Sequence, residues 1–210
     1  INGYDLDGHN YIDQSLNNGA TVVVCETLPK KINEHNIMFI KVKCSKTALY
    51  TISSNFYDNP SSKIDLIGVT GTNGKTTTAT LTHHMLSQAG IDVGLAGNVG
   101  RSFAKALVED ERKVYVLEIS SFQLDNIKKF HPKIAVITNL SPDHLDRYQN
   151  SFENYSNSKF NIIMNQNKED HFIYDADDAF LFKKVKEKEI SPKQYPLRFS
   201  EKSKFIHVNN

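Results

Sequence analysis

The sequence predicts an α/β protein in two parts: a small N-terminal α/β unit over residues 1–60, then a larger domain over 61–210 built on a mostly parallel sheet. Three observations carry this. From Lys63 onward, strand-like apolar runs alternate with helix-like runs, the pattern of a parallel sheet covered on both faces. Asn59-Pro60-Ser61-Ser62 reads as a linker, because Pro stops a helix and small polar residues follow. Between the apolar run Ile64–Ile67 and a helix-like run from Lys75 to Ala89 lies Gly68-Val69-Thr70-Gly71-Thr72-Asn73-Gly74-Lys75-Thr76-Thr77, a glycine-rich turn in strand–turn–helix context.

In the first part, Asp7-Gly8 signals a turn and Tyr11–Asn18 has the spacing of a short helix that Gly19 ends. Thr21–Glu26 is β-branched and reads as a strand buried on both faces, with a second strand at Met38–Val42. Thr47–Tyr57 is a helix with Leu49, Ile52 and Phe56 on one face. In the second part, strands are expected at 64–69, 92–95, 113–119, 134–139 and 171–174, and helices at 75–89, 101–109, 121–128, 151–165 and 177–188. Ligands of such sheets bind at the carboxyl ends of the strands. Polar clusters fall there: Gly97-Asn98-Val99-Gly100, Glu118-Ile119-Ser120-Ser121, and Asn139 to His144. The charged tract Lys183–Glu189 reads as a solvated helix face.

The chain of 210 residues is balanced at a net charge of +1, which gives no electrostatic case for nucleic acid or an anionic membrane. No run approaches the roughly 18 apolar residues of a membrane span, and no signal peptide is visible. Cys25 and Cys44 each sit in or beside an apolar run and read as two buried thiols, which places the protein in the cytoplasm. The chain starts at Ile1 without Met and stops soon after an apolar stretch, as a piece of something longer does.

The chemistry begins at the glycine-rich turn. Glycines let successive N–H groups converge on phosphate oxygens, and a helix N-terminus adds partial positive charge. Lys75 would reach the terminal phosphates and the Thr76 hydroxyl would ligate Mg²⁺. The general pattern wants Gly where Val69 stands; the bland alternative is a β-turn before a helix. Glu118 ends an otherwise apolar strand, where a carboxylate is costly unless it is paired or binds a cation. With Thr76 it offers hard oxygens for Mg²⁺, and the alternative is a strand-end Glu paired with a Lys. His144 lies in Ser-Pro-Asp-His-Leu-Asp-Arg-Tyr, where a helix start explains Ser141 and Asp143 as caps but leaves His144 unexplained. Lys159 reads locally as an ordinary surface lysine.

Taken in order, five segments resemble the Mur ligases of peptidoglycan synthesis: Thr70–Thr77, Gly97–Gly100, Leu117–Leu124, Thr138–Tyr148 and Ser158-Lys159-Phe160. The family's Gly-Thr-Asn-Gly-Lys-(Thr/Ser) loop also explains the glycine spacing. From about Ala96 the chain resembles the D-glutamate-adding members. Before about Gly90, through Asp7–Ile12 and Gly19–Glu26, it resembles those that add diaminopimelate or lysine. A hybrid with a seam near 88–97 is therefore expected.

The resemblance implies a P-loop NTPase-like central domain that binds ATP through Gly71, Thr72, Asn73, Gly74, Lys75, Thr76, Thr77 and Asn139. It implies one Mg²⁺ on Thr76 and Glu118 and a second on His144 and a carbamylated Lys159, with Lys75, Glu118, His144 and Lys159 catalytic. Asn98, Ser120, Gln123 and Arg147 would serve the muramoyl-peptide side and the active-site loop, and residues near Tyr4 to His9 would approach the uridine. The implied reaction joins an amino acid, D-glutamate first, to UDP-N-acetylmuramoyl-L-alanine through an acyl phosphate, in a cytoplasmic monomer with no nucleic-acid or membrane partner. The family's C-terminal Rossmann-like domain is absent, so this chain alone is expected to be inactive. Alternatives are the diaminopimelate- or lysine-adding reaction, a folylpolyglutamate synthase, a phosphate-loop kinase or GTPase, and a non-catalytic nucleotide-binding fragment.

Overall fold

The computed structural model describes residues 6–29, 37–57, 63–109 and 112–199. The chain divides into two compact units, Ile1–Pro60 and Ser61–Asn210. The linker expected at 59–62 lies outside the described residues, as do Tyr4 and Asp5.

In the first unit a 3-10 turn, Gly8–Tyr11, runs into helix α1, Ile12–Asn17. Strand β1, Val22–Cys25, pairs in parallel with β2, Met38–Lys41. Helix α2, Ser45–Phe56, starts two residues earlier than its apolar spacing suggests. Glu26 explains this: its carboxylate accepts from the Ser45 amide at 2.8 Å and the Ser45 hydroxyl at 2.7 Å, closing the helix start from a distance. Three expectations fail here. β1 is not buried on both faces: Val22 is exposed, Val23 and Val24 are half-buried and only Cys25 is buried, because β2 is its one partner among the described residues. Leu49, Ile52 and Phe56 stay exposed, since a two-stranded sheet offers them little surface. Cys44 is exposed at the N-cap of α2, although both thiols are free.

The second unit is a six-stranded, wholly parallel sheet in the order β4-β5-β3-β6-β7-β8. Its strands are β3 (Asp65–Thr70), β4 (Val93–Gly97), β5 (Val114–Glu118), β6 (Ile134–Ile137), β7 (His171–Asp175) and β8 (Lys193–Leu197). Alternation along each strand divides the core. Ile67, Val69, Val93 and Val116 pack with Ala79 of α3, Lys75–Gln88. Leu66, Tyr115, Leu117, Ile137, Phe172 and Tyr174 pack on the other side with α4 (Phe103–Glu109), α6 (Phe152–Phe160) and α7 (Ala179–Glu187). Each large side chain so buried contributes about 1.5–3 kcal/mol.

Four boundaries depart from expectation. β8 was not anticipated: Lys-Gln-Tyr-Pro-Leu has no apolar run, and Pro196 is tolerated because the strand lies at the sheet edge. The helix expected at 121–128 is the single turn α5, Ser121–Leu124. Beyond it, side chains rather than helix amides satisfy the carbonyls: Asn161 Nδ2 donates to Leu124 O, and Asn165 Nδ2 donates to Lys128 O and Phe130 O. α4 starts only at Phe103, since Arg101 bridges back to Ala96. α6 ends at Phe160 and tightens into a 3-10 turn, Asn161–Ile163. No described helix is long and apolar enough to cross a membrane.

Candidate nucleotide and metal site

The sheet register sets the site. Val69 lies opposite Glu118, Glu118 opposite Gly97, and Thr70 opposite Ile137, so the carboxyl ends of β3 to β6 converge. β3 delivers the chain into the loop with Thr70 anchored, its hydroxyl donating to Ile119 O at 2.7 Å. At Gly71, with φ 140°, an added Cβ would overlap Thr138 Oγ1, so only glycine lets the loop pass this close to β6. Gly74 then leads into α3, whose first-turn amides at Lys75, Thr76 and Thr77 have no intrahelical acceptor and face the site of partial positive charge.

The loop is pinned from the end of β6. Thr72 N donates to Asn139 O at 3.0 Å. The Asn139 amide pairs with the Asn73 backbone, accepting from its N–H at 2.9 Å and donating to its carbonyl at 3.0 Å. Thr138, which the sequence reading missed, donates to the same Asn73 carbonyl at 2.7 Å. Asn139, expected among the nucleotide-binding residues, therefore has both ends of its side chain engaged in holding the loop. Lys75 Nζ lies along the loop and donates to Thr72 O at 2.7 Å.

Thr76 and Glu118 are brought together as the sequence implied. Glu118, 5% exposed at the end of β5, accepts from Thr76 Oγ1 at 2.8 Å. Two hard oxygens beside a phosphate-type loop fit a Mg²⁺ ion. Next to them Gly97, with φ 104°, lets its loop lie directly on the Glu118 carbonyl, which a Cβ would overlap. Asn98 is bonded through Nδ2 to Ser120 Oγ, and its own amide donates to Glu118 O at 3.0 Å. Gln123 Oε1 accepts from Ser120 N at 2.8 Å in a capping box on α5, so its carbonyl is committed locally.

Lys159 is no surface lysine. It is 2% exposed, donates to Gly71 O at 2.8 Å, and lies 4.8 Å from the Tyr155 ring centre. Burial, and after it the neighbouring Lys75 charge, lowers its pKa to about 7, with Asp143 opposing the shift. His144 is exposed, in the left-handed region at φ 48°, with Nε2 3.7 Å from the Asp143 carboxylate. Among the described residues no three His, Cys, Asp or Glu side chains are placed to hold a metal. As an ammonium or amine donor Lys159 does not fit a metal ligand; only the site at Thr76 and Glu118 does. Ser141 and Asp143 cap no α-helix: a 3-10 turn, Leu145–Tyr148, follows, and Ser141 N donates to Thr72 Oγ1 at 2.9 Å. Arg147 stacks over Phe122 at 5.1 Å. Tyr155 also escaped the sequence reading; its place four residues before Lys159 on α6 is the only signal for it.

Residues 69–209 match the family described as the Mur ligase middle domain. The chain is 44% identical over 161 residues to a UDP-N-acetylmuramoylalanine–D-glutamate ligase from Christiangramia forsetii, covering 77% of this chain and 36% of that protein. It is 35% identical over 202 residues to a UDP-N-acetylmuramoyl-L-alanyl-D-glutamate–2,6-diaminopimelate ligase from Clostridium acetobutylicum, covering 86% of this chain and 41% of that one. Both matches are too long to avoid residues 88–97, so both relatives run through the expected seam. The fold is shared with a MurF ligase from Thermotoga maritima solved with ADP, at TM-score 0.66 and 23% identity over 93% of this chain and 45% of that one. The chain thus spans well under half the length of the relatives it matches.

Proposed function

The chain belongs to the Mur ligase family, and from that premise we propose that it forms the nucleotide-binding part of an ATP-dependent amide ligase of peptidoglycan precursor synthesis. The reaction is addition of D-glutamate to UDP-N-acetylmuramoyl-L-alanine, in keeping with the name of the relative at 44% identity. The observation that carries the reading is the contact between Thr76 and Glu118 beside the braced loop. The longer match to a diaminopimelate ligase keeps that amino acid as the second reading.

The substrate carboxylate takes the γ-phosphoryl group of ATP, giving an acyl phosphate and ADP. The amine of the incoming amino acid attacks the acyl carbon; the carbon–oxygen bond to phosphate breaks and the nitrogen loses a proton. The amides of α3 and Lys75 orient the phosphates, which is most of what a phosphoryl-transfer site contributes. Thr76 and Glu118 would hold Mg²⁺, which when bound would supply neutralisation of phosphate charge. Lys159, with its pKa near 7, has a neutral amine available to add carbon dioxide and release a proton. The resulting carbamate, unlike the amine, would be an oxygen acceptor, and with His144 it would be the residue pair available to a second cation. Asn98, Ser120, Gln123 and Arg147 border the muramoyl-peptide side, and residues 1–60 take the UDP-sugar. The protein is a cytoplasmic monomer in this reading.

Calorimetric titration with Mg·ATP, UDP-N-acetylmuramoyl-L-alanine and its D-glutamyl product tests the assignment. Mg·ATP and the first muramoyl nucleotide should bind. Lys75→Ala removes a charge-assisted contact of about 1.5–3 kcal/mol and should weaken Mg·ATP about 10- to 100-fold. Unchanged affinity in Lys75→Ala overturns the nucleotide assignment, and preference for the D-glutamyl product moves the reading to the diaminopimelate class.

A further inference from the structure

We propose that Thr72 is a positioning residue whose hydroxyl locks the phosphate loop to the segment after β6 and to helix α6, so that the nucleotide half and the Lys159 half of the site are set together. The inference rests on the nucleotide assignment above and goes beyond it, because the Thr72 side chain is given no phosphate to hold.

Three contacts meet at Thr72 Oγ1. Ser141 N donates to it at 2.9 Å, Ser141 O lies at 3.0 Å, and Tyr155 OH lies at 3.1 Å. The Ser141 carbonyl only accepts, so the single hydroxyl proton of Thr72 goes there. Tyr155 must then donate to Thr72. One donated and two accepted bonds exhaust a hydroxyl, and Thr72 is 9% exposed, so water does not replace them freely. The Thr72 backbone is committed as well: its N–H to Asn139 O and its carbonyl to Lys75 Nζ.

The partners lead to the rest of the site. Tyr155 carries Lys159 against its ring, and Lys159 returns to the loop at Gly71 O. On the other side, Leu140 N donates at 2.7 Å to Asp178, whose second oxygen caps α7. Ser141 is followed directly by Pro142, Asp143 and His144. A displacement of the loop that Lys75 shares is therefore passed through one oxygen to the segment bearing His144 and to the helix bearing Lys159.

Amide hydrogen exchange on this chain, with and without Mg·ADP, reads the coupling. Ligand-free Thr72→Val should exchange at least tenfold faster than wild type across residues 139–148. Tyr155→Phe, which removes one of the three bonds, should fall between them, and Thr72→Ser should restore wild-type rates. Mg·ADP should slow exchange at 71–78 and at 139–148 in wild type and Thr72→Ser, but only at 71–78 in Thr72→Val. Rates at 139–148 within twofold of wild type in Thr72→Val, or no restoration by Thr72→Ser, overturn the proposal. If Thr72→Val fails to fold, Tyr155→Phe carries the comparison, and wild-type rates at 139–148 in that variant overturn the proposal. Failure of wild type to bind Mg·ADP overturns the nucleotide assignment instead, and the ligand-free rates still decide the role of Thr72.

Discussion

Lys159 and Lys184 are both almost fully buried, at 2% and 5% exposure, and they are held in opposite ways. Lys184 reaches from α7 to α6, where Glu153 accepts at 2.5 Å and Asn157 at 2.6 Å. Its charge has a carboxylate, and the carboxylate has water, since Glu153 remains 62% exposed. Lys159 has a carbonyl, an aromatic face and a second cation nearby, and Asp143 offsets its burial only in part. A buried ammonium needs a counter-charge in contact, and one whose counter-charge is too weak to offset burial gives up its proton more readily. The difference separates a lysine that fastens two helices from one whose proton is held loosely beside the Gly71–Thr77 loop.

Replacing Lys159 should have the largest effect. In the unfolded chain the amine holds its proton up to about pH 10.5, and in the fold it releases it near pH 7. Between those values the unfolded chain binds more protons, so stability rises with pH, and below about 7 the full penalty of the buried charge is present. Lys159→Met removes that penalty along with one hydrogen bond. Denaturant unfolding at pH 7.5 should show the variant more stable by about 2–4 kcal/mol, with the gap shrinking towards pH 10. A variant less stable than wild type at pH 7.5 would mean that Lys159 is a structural contact like Lys184.

Lys184→Met should move stability the other way and by less. It deletes two hydrogen bonds, but Glu153 and Asn157 both lie near water and re-solvate, so the loss is about 1–2 kcal/mol. The bond from Lys184 holds the Glu153 carboxyl below its usual range. A carboxylate with a depressed folded pKa contributes stability above its unfolded value and loses it as pH falls through the folded one. The deficit of Lys184→Met should therefore be constant from pH 6 to 8 and fade below about pH 4. A deficit that persists unchanged in acid would show that packing against Phe160, not the ion pair, is what Lys184 provides.

These two lysines also show where the sequence stops being informative. The loop from Gly71 to Thr77 was legible because glycine, lysine and threonine spacing is local and each type has one physical reason to be there. Glu118 was legible because a carboxylate closing the apolar run of β5 demands a partner, and Thr76 is that partner. Lys159 sits between Ser158 and Phe160 on a nine-residue helix, and the carbonyl that takes its buried amine is Gly71, 88 positions away. Lys184 lies in a tract that reads as solvated, and Glu153, 31 positions away, is what draws it in. Asn139 and Thr138 brace the loop across more than 60 positions, which no local pattern encodes. β8 was invisible for a related reason: a polar strand with Pro196 takes its order from β7 rather than from its own residues.

The smallest of these effects is the most specific test of the contrast. Burial is the main cause of the low Lys159 pKa, and the neighbouring Lys75 charge is the next. Lys75→Met leaves the burial and removes the charge. The Lys159 amine should then titrate above about 7 in the variant, with Asp143 still favouring the protonated form. Titration of ¹³C-labelled lysine by NMR, with Lys159 assigned by its absence in Lys159→Met, measures this directly. An upward shift at Lys159 makes the two lysines near the loop one electrostatic unit. An unchanged Lys159 would place the whole of its behaviour in desolvation and remove Lys75 from the account.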